Sequence, residues 1–443
     1  MAAGNLQRDL VRTAPERSVP ERGTSRRGTS ERGTPERGTS ERGAPGRGTS
    51  ERGTPERGTS ERGAPGRGRS ERGTPERGTP ERGTPERTTT RDPADSAVFG
   101  SRLLVADLRA AAPAWTPPER VLDSLRRATP DGWRVHVVRS LTVSDGDGAD
   151  RPSDETLSVI GDAEAYLGFG APRALLEAAP GLRWIHSATA GVGSLLTPEL
   201  RARELLLTNS AGVHAQPIAE YVLGGVLHFL RGLDIAVRLQ AEGRWDREPF
   251  VGAGHSAREV GECRVLVVGT GGIGGAVGRA LSALGAHCVG IRRRPELGAP
   301  TGFIRVVGLD GLDDELPSAD VLVLAAPLTS QTRALISAER LDRLPPGAIV
   351  VNVARGALLD EQALAEQLES GKLRGAVLDV FEEEPLPADS PLWGKSRALL
   401  SPHVSGVSPR RFWERELALI LDNWRRYRAG EPLRNLVDQR AGY

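Results

Sequence analysis

The feature that most constrains the fold is an apolar strand that runs directly into a glycine-rich turn and then into a helix. The strand is Val265–Val268, the turn has the pattern GxGxxG, and the helical segment runs from Ala276 to Leu284. The first glycine allows a sharp turn, the second lets the backbone approach a pyrophosphate, and the third lets helix and strand pack closely. The sequence therefore predicts a dinucleotide site in this turn. Its residues are Gly269, Gly271, Gly272, Ile273 and Gly274.

Strand-like and helix-like stretches alternate on both sides of this turn. The expected strands are Ser101–Leu108, Trp133–Arg139, Ala165–Phe169, Leu182–Ala188, Leu205–Asn209, Arg264–Gly269, His287–Ile291, Phe303–Val307, Val321–Ala325, Ala348–Asn352 and Arg374–Asp379. Such alternation is typical of βαβ units and parallel sheets. We therefore predict an α/β fold of two Rossmann-like domains. A flavodoxin-like substrate domain covers residues 99–212 and is completed by 408–443, and an NAD(P)-binding domain covers 213–407.

Two helices stand out by their apolar content. The segment Ile218–Leu239 is apolar nearly all round, so we expect one long helix buried between domains or subunits. Near the end of the chain, Phe412–Tyr427 carries tryptophan, leucine and isoleucine at helical spacing, and Gly430 and Pro432 stop it. We expect this last helix to pack back on the first domain.

A pentad repeat with the variants ERGTS, ERGTP, ERGAP and GRGTS occupies the chain from Glu16 to about Thr90. Gly, Pro, Ser, Thr, Glu and Arg dominate it, and aliphatic and aromatic side chains are nearly absent. Such a segment has no apolar surface to offset the entropy lost on ordering. We predict that residues 1–98 form a disordered tail that is dispensable for catalysis, and the repeat names no partner for it.

The charge distribution argues against nucleic acid as a partner. The whole chain has a net charge of +1, and the repeat carries 17 Arg and 12 Glu, so the remainder is about −4. A globular part without a basic excess lacks the electrostatic footprint of a nucleic-acid-binding protein. The partner we expect is therefore a small molecule.

Several features favour the cytoplasm. The two cysteines, Cys263 and Cys288, are neither a disulfide framework nor a metal set, and reduced thiols are typical of the cytosol. No apolar run approaches the roughly 18 residues that span a bilayer. The first residues, MAAGNLQRDLVRTAPERS, contain no apolar signal segment. We therefore expect no membrane association.

Basic residues follow the second strand of the βαβ unit, where a dinucleotide site meets the adenosine ribose. The strand His287–Ile291 ends in Arg292, Arg293 and Arg294, and no carboxylate occurs before Glu296. An acidic residue there accepts hydrogen bonds from the ribose of NAD, whereas arginine can bind a 2′-phosphate through bidentate contacts. We therefore expect NADP(H) to be favoured, with NAD(H) as the alternative.

Three later segments add ionisable residues at strand ends. They are Val350-Val-Asn-Val-Ala-Arg-Gly356, Leu378-Asp-Val-Phe-Glu-Glu-Glu-Pro385 and Ser401-Pro-His-Val-Ser-Gly406. Shorter segments agree with them: Trp184–Val192, Thr208–Gly212 with Ala219-Glu220, and Ala326–Thr332. With these segments, the chain from about Ser101 to Asp438 resembles the D-isomer-specific 2-hydroxyacid dehydrogenase family, which includes glyoxylate/hydroxypyruvate reductases and phosphoglycerate dehydrogenases.

The resemblance implies that Arg355, Glu384 and His403 are catalytic. Arg355 can hold the carboxylate of a 2-keto acid with its planar fork of donors and polarise the adjacent carbonyl. His403 can give a proton to the oxygen on C2 as hydride arrives, and Glu384 can fix the tautomer of that histidine. By the same resemblance, Ala190 and Gly191 bind the substrate carboxylate. The cofactor is expected to contact also Pro327, Thr332, Ala354 and Asp379.

The expected activity is hydride transfer between NAD(P)H and a small 2-keto acid or D-2-hydroxy acid, as in glyoxylate/hydroxypyruvate reductases, in a homodimer. A phosphoglycerate dehydrogenase-type enzyme is one alternative, although the chain leaves no room after Tyr443 for the regulatory domain of many such enzymes. A formate dehydrogenase is disfavoured, because that pattern has glutamine in place of Glu384. A non-catalytic nucleotide-sensing protein on the same fold is the other alternative, and a turnover assay discriminates.

Overall fold

The computed structural model describes residues 102–141, 151–254, 257–440 and 442. The predicted disordered tail, residues 1–98, lies outside the described residues, and so that prediction is untested. No helix in the described ranges is long and apolar enough to cross a membrane.

Twelve strands form two sheets among the described residues, and every pairing is parallel. They are β1 Arg102–Asp107, β2 Trp133–Val137, β3 Ala163–Gly168, β4 Trp184–Ser187, β5 Leu206–Asn209, β6 Arg264–Val268, β7 His287–Ile291, β8 Arg305–Val307, β9 Val321–Leu324, β10 Ile349–Asn352, β11 Gly375–Leu378 and β12 Ala398–Leu400. The first sheet has the order β2-β1-β3-β4-β5, which is the flavodoxin-like order. The second has the order β12-β11-β10-β9-β6-β7-β8, which contains the Rossmann arrangement. The predicted fold class is confirmed.

Helices connect most of the strands. They are α1 Glu119–Arg127, α2 Asp154–Val159, α3 Arg173–Ala178, α4 Pro198–Arg201, α5 Ala215–Leu230, α6 Leu233–Ala241, α7 Glu248–Val251, α8 Gly272–Ser282, α9 Leu312–Glu315, α10 Ala338–Arg343, α11 Glu361–Glu369 and α12 Pro409–Ala429. Short 3-10 turns lie at Pro113–Trp115, Ile160–Asp162, Val260–Glu262, Pro295–Leu297, Leu309–Gly311, Leu316–Ser318 and Gly356–Leu358. These connections leave both faces of each sheet covered.

Alternating side chains of the first sheet enter two separate cores. Leu104 and Ala106 of β1 face α1 and α12, which contribute Val121 and Phe412 among others. Leu103 and Val105 face the other way, toward α2, α3 and α4. This period of two is what a strand covered on both faces requires. The chain therefore leaves the second sheet after β12, and the last helix, α12, packs on the first sheet, as its apolar spacing led us to expect.

The second sheet is covered in the same way. Its residues Val265, Val267 and Val351 pack with α5 and α8 on one face. Leu266 and Val350 pack with α9, α10 and α11 on the other. The chain passes from the first sheet to the second once, between β5 and α5, and returns once, between β12 and α12. These two crossings are the covalent connections between the sheets in the described residues.

The single long helix predicted over Ile218–Leu239 was wrong. The structure has two helices, α5 and α6, which are separated by Gly232 with φ of +67°. A left-handed backbone at this point ends one helix and redirects the chain. The apolar side of α5 is buried in the core of the second sheet, and burial of this helix between domains or subunits stays a prediction. A further strand, β12, was not predicted.

Candidate active site

The glycine turn between β6 and α8 has the geometry that its glycines led us to expect. Gly269 has φ of +93°, and a Cβ there would lie 2.7 Å from the backbone of Ala325 and Ala326. A Cβ on Gly274 would overlap the carbonyl oxygen of Gly269, so that only glycine lets the helix lie this close to the turn. Helix α8 begins at Gly272, and its first N–H groups therefore point at the end of β6.

This turn fits the pyrophosphate of a dinucleotide. A Cβ on Gly271 would meet no atom within 4 Å, so the space in front of the helix is open. The hydroxyl oxygen of Thr270 is buried and has no hydrogen-bond partner among the described residues. Ile273 is half-buried one residue into the helix. An open cradle with free N–H groups, a helix dipole and an unsatisfied hydroxyl is a suitable anion site.

Arg292 follows β7 directly and is half-buried, while Arg293 is exposed. The Arg292 guanidinium donates one hydrogen bond, from Nη1 to the carbonyl oxygen of Gly298 at 2.9 Å. Its other side-chain nitrogens donate to none of the described residues. The nearest following carboxylate, Glu296, is exposed. Two arginines, and no acid, therefore end the strand where an adenosine ribose would lie.

Three other predicted cofactor residues lie at the carboxyl ends of β9 and β10, beside the glycine turn. The hydroxyl of Thr332 donates to the carbonyl oxygen of Pro327 at 2.7 Å, which closes the loop after β9. Ala354 is buried just after β10, and its N–H donates to the side chain of Asn352 at 3.0 Å. Both loops thus flank the cradle, because β9 lies next to β6 in the sheet.

Arg355 is presented by a tight turn at the end of β10. Asn352 donates from its side-chain nitrogen to the carbonyl oxygen of Arg355 at 2.9 Å. The guanidinium Nη1 donates to the carbonyl oxygen of Ala354 at 2.7 Å. A Cβ on Gly356 would overlap the backbone at Phe381, so glycine lets this turn contact the segment that carries Glu384. The turn therefore fixes the direction of the arginine.

His403 and Glu384 form a hydrogen-bonded pair. The distance from His403 Nδ1 to Glu384 Oε2 is 2.9 Å, and Glu384 Oε1 accepts from the N–H of Phe381 at 2.9 Å. The bond to Glu384, strengthened by its charge, outweighs partial burial and raises the pKa of His403 above its ordinary value. Burial favours the neutral form of Glu384, but the bonds from His403 and Phe381 prevail and lower its pKa. The pair thus favours an imidazolium beside a carboxylate.

Asp379 holds the loop that carries His403. Its side chain is fully buried, and its Oδ1 accepts from the hydroxyl of Ser401 at 2.5 Å and from the N–H of Val404 at 2.8 Å. Its Oδ2 accepts from the N–H of Ser405 at 2.9 Å. The sequence placed Asp379 at the cofactor, and that placement stays a prediction. The structure adds a clear task for this carboxylate, the anchoring of the 401–405 loop.

The loop of residues 188–193, which follows β4, brings Ala190 and Gly191 to Arg355. A Cβ on Gly191 would overlap Nη2 of Arg355. The carbonyl oxygens are already engaged, that of Ala190 by the Asn209 side chain at 2.7 Å and that of Gly191 by the Thr189 hydroxyl at 2.8 Å. The two N–H groups donate to none of the described residues. Free donors beside a guanidinium are suited to a carboxylate.

Further contacts show that the carboxyl ends of both sheets meet at one cleft. His214, at the start of α5, lies with Nδ1 3.3 Å from the carbonyl oxygen of Gly406, and its ring stacks on Phe412 at 5.0 Å. Trp115 contacts both rings edge-on. Burial lowers the pKa of His214 and outweighs the hydrogen bond to Gly406, which raises it. Trp115, His214 and Phe412 thus form an aromatic wall beside the loop that carries His403. This wall was not predictable from the sequence, because its members are far apart in the chain.

The structure also bears on metal chemistry. The residues that it describes contain no group of three or more His, Cys, Asp or Glu side chains that could hold a metal ion. At the cleft, His403 and Glu384 are hydrogen-bonded to each other. Their donors and acceptors are those that a carboxylate, a carbonyl and a dinucleotide require.

Comparisons with known proteins give consistent findings. The family model for the NAD-binding domain of D-isomer-specific 2-hydroxyacid dehydrogenases matches residues 223–405. A solved D-isomer-specific 2-hydroxyacid dehydrogenase from Xanthobacter autotrophicus, in complex with NADPH and MES, is 33% identical with a TM-score of 0.63. The match covers 78% of this chain and 100% of that one.

Two relatives with assigned activities are also similar. Glyoxylate/hydroxypyruvate reductase A of Salmonella newport is 33% identical over 271 residues, which is 59% of this chain and 82% of the relative. D-3-phosphoglycerate dehydrogenase of Methanocaldococcus jannaschii is 32% identical over 291 residues, which is 64% of this chain and 53% of the relative. The match therefore spans about half the length of the phosphoglycerate dehydrogenase.

Proposed function

This chain belongs to the D-isomer-specific 2-hydroxyacid dehydrogenase family of oxidoreductases, and on that premise we propose that it reduces a small 2-keto acid, of the glyoxylate or hydroxypyruvate type, to the D-2-hydroxy acid. The substrate domain in this proposal comprises residues 99–212 and 408–443, and the cofactor domain comprises 213–407. The reaction takes place in the cleft between the two sheets. Arg355, Glu384 and His403 are the catalytic residues.

The observation that carries the proposal is the convergence of three groups from separate parts of the chain. His403 and Glu384 are 2.9 Å apart, and the Arg355 guanidinium lies against Gly191 of the other sheet's loop. A proton donor with a raised pKa and a carboxylate site are what the reduction of a 2-keto acid requires.

Substrate binding follows from the donors at the cleft. The guanidinium of Arg355 and the free N–H groups of Ala190 and Gly191 bind the carboxylate of the keto acid. The same arginine polarises the neighbouring carbonyl, because its planar fork reaches both oxygens. The substrate is thereby held between the two sheets. Displacement of either Gly191 or Arg355 would disrupt binding of the substrate carboxylate.

The pair of His403 and Glu384 supplies the proton that the reduction requires. A bound nicotinamide cofactor supplies the hydride. Nδ1 of His403 is committed to Glu384, so Nε2 carries the proton that goes to the oxygen on C2. The hydrogen bond to Glu384 raises the pKa of His403 and so favours the protonated, proton-donating form. In the oxidative direction the neutral imidazole takes the proton back, so reduction declines and oxidation improves as pH rises through the pKa of His403.

The cofactor part of the proposal is a preference for NADPH over NADH. Arg292 and Arg293 stand at the end of β7, and Arg292 has side-chain donors that no described residue uses. The Xanthobacter relative is in complex with NADPH. A 2′-phosphate is therefore the partner that these arginines suit best.

A homodimer is also part of the proposal. Large apolar side chains are exposed on and around α6 and α7: Leu233, Val237, Val251 and Trp245, the last of which is 95% exposed. A cluster of such side chains is typical of a protein–protein contact. Because α5 is occupied by its own sheet, we place the dimer contact on this neighbouring surface instead.

The proposed location is the cytoplasm. Cys263 and Cys288 are free and buried. Burial raises the pKa of Cys288 to about 11, so this thiol is neutral at physiological pH and poorly nucleophilic. Two unpaired thiols of this kind suit a reducing compartment.

One panel of assays tests the proposed function. Glyoxylate, hydroxypyruvate, pyruvate, bulkier 2-keto acids and 3-phosphohydroxypyruvate are each offered with NADPH and with NADH. We expect the small keto acids to have the highest kcat/KM. Preference for the phosphorylated substrate would establish the phosphoglycerate dehydrogenase alternative, which the relative from Methanocaldococcus jannaschii supports. Tight dinucleotide binding without turnover of any acid would establish the nucleotide-sensing alternative.

A further inference from the structure

A second histidine–glutamate pair lies buried in the first sheet, apart from the catalytic one. His186 of β4 and Glu416 of α12 are both 0% exposed, and Nε2 of the histidine is 2.9 Å from Oε1 of the glutamate. Nδ1 of His186 is 2.9 Å from the hydroxyl of Thr208, which also accepts from the indole N–H of Trp184 at 3.0 Å. The cluster thus connects α12 to two neighbouring strands.

Glu416 reaches the loops that carry the substrate donors. The hydroxyl of Ser210, just beyond β5, donates to Glu416 Oε1 at 2.9 Å and lies 2.9 Å from the carbonyl oxygen of Ser187, at the end of β4. The backbone N–H of Ser210 donates to the carbonyl oxygen of Thr189 at 3.0 Å. The hydroxyl of Thr189 in turn donates to the carbonyl oxygen of Gly191. A continuous set of hydrogen bonds therefore runs from α12 to the 188–193 loop.

The same helix face also supports the catalytic loop. Phe412 lies one turn before Glu416 on α12, and its ring stacks on His214. His214 bonds to Gly406, which is three residues beyond His403. Helix α12 thus contacts the supports of both the carboxylate donors and the proton donor.

This arrangement is costly if stability alone is considered. The second carboxylate oxygen of Glu416, Oε2, is buried and has no hydrogen-bond partner among the described residues. An unsatisfied buried carboxylate oxygen destabilises a fold, and apolar residues of similar volume often pack with equal or better stability. The contribution of Glu416 is therefore expected in geometry, where a directional bond to Ser210 and His186 has no apolar substitute.

We propose that Glu416 is a positioning residue for substrate binding: through Ser210 and His186 it fixes the ends of β4 and β5, and thereby the N–H groups of Ala190 and Gly191 that receive the substrate carboxylate. This inference rests on the proposed reduction of 2-keto acids. It assigns to Glu416 no contact with substrate or cofactor. Its effect is on the binding of the keto acid, in the ground state and the transition state alike.

The test compares Glu416→Gln with a matched control in the full-length protein. The control is Asp234→Asn, because Asp234 is a largely buried carboxylate paired with Arg374 at 2.8 Å and 2.6 Å. Arg374 immediately precedes β11, so this pair lies at the opposite, amino-terminal edge of the second sheet. Both substitutions replace a buried carboxylate by its amide.

We expect Glu416→Gln to raise KM for the keto acid by about fivefold or more, with kcat and KM for NADPH within about twofold, because uniform binding is lost. The inhibition constant of oxamate, an unreducible analogue with a carboxylate beside a carbonyl, should rise in parallel. Ser210→Ala, which removes one hydroxyl, should move KM in the same direction. Asp234→Asn should lower Tm without changing KM.

Either of two results would overturn this inference and leave the proposed function intact. The first is that KM and the inhibition constant of oxamate stay unchanged in Glu416→Gln and Ser210→Ala while the unsubstituted protein turns over. The second is that KM rises equally in Asp234→Asn. If Glu416→Gln does not fold, Ser210→Ala decides the question by itself. Absence of turnover by the unsubstituted protein with every keto acid would overturn the proposed function, and this inference with it.

Discussion

Replacing Glu384 by glutamine tests the proposed proton donor directly. In the unsubstituted chain, Nδ1 of His403 lies 2.9 Å from Glu384 Oε2. The substitution keeps the size of the side chain and an oxygen that can accept a hydrogen bond from this nitrogen. It removes the negative charge, which with the hydrogen bond raises the pKa of His403. The imidazolium therefore becomes less favourable, and the pKa of His403 falls.

The size of the effect follows from the exposure of the pair. A hydrogen bond to a charged group contributes about 1.5–3 kcal/mol. Because the side chains of His403 and Glu384 are 42% and 37% exposed, solvent screens the charge and the lower end applies. About 1.5 kcal/mol corresponds to roughly a tenfold loss of kcat for reduction at pH values above the pKa of His403.

The assay is the pH dependence of kcat in both directions. Reduction requires protonated His403, so the alkaline limb of the reductive profile should move to lower pH in Glu384→Gln. Oxidation requires neutral His403, so its acidic limb should move to lower pH as well. Glu383→Gln is the matched control, since it removes an exposed carboxylate one residue away. Profiles of Glu384→Gln that keep the unsubstituted limbs in both directions would refute the assignment of His403 as the proton donor.

Three further predictions concern the rest of the cleft and the chain. Gly191→Ala should raise KM for the keto acid at least about tenfold, because the new Cβ overlaps Arg355; unchanged steady-state kinetics would contradict this contact. NADPH should be favoured over NADH at least about tenfold in kcat/KM, and Arg292→Asp should abolish or reverse that preference; equal efficiency before substitution would mean that the arginines are only a solvated loop. Trp245→Glu should yield a monomer in sedimentation at micromolar concentration while the unsubstituted protein is a dimer, and a monomer in both would remove the dimer proposal.

Local patterns in the sequence were sufficient for most of the fold. The strand His287–Ile291 has the predicted bounds, and the glycine turn at 269–274 has the predicted form. These features depend on residues that are close in the sequence, so the hydrophobic periodicity and the turn residues are sufficient to predict them. The break at Gly232 was missed because the apolar pattern continues through it, although a glycine inside a long helix is itself a signal.

The site was predictable where a motif carries it. His403 and Glu384 are 19 residues apart in the chain, and the structure places them in contact. The partners of His186 were not predictable, since Glu416 lies 230 residues away and only the packing of α12 on the first sheet brings them together. The hydrogen bonds that the buried Asp379 accepts were not predictable either, because they depend on how the 401–405 loop folds back onto it.

The two chain crossings have a mechanical consequence. The sheets are joined covalently after β5 and before α12, and the bond between His214 and Gly406 ties these two connections together. Two bodies pinned at two neighbouring points have one soft motion, a rotation about the line that joins the pins, and hinges of this kind are a few residues at the ends of elements. Sliding and twisting of the sheets are resisted by both crossings at once. We therefore expect Gly191 and Arg355 to approach and separate along a single arc, so that each closure would return Ala190 and Gly191 to the same place relative to His403.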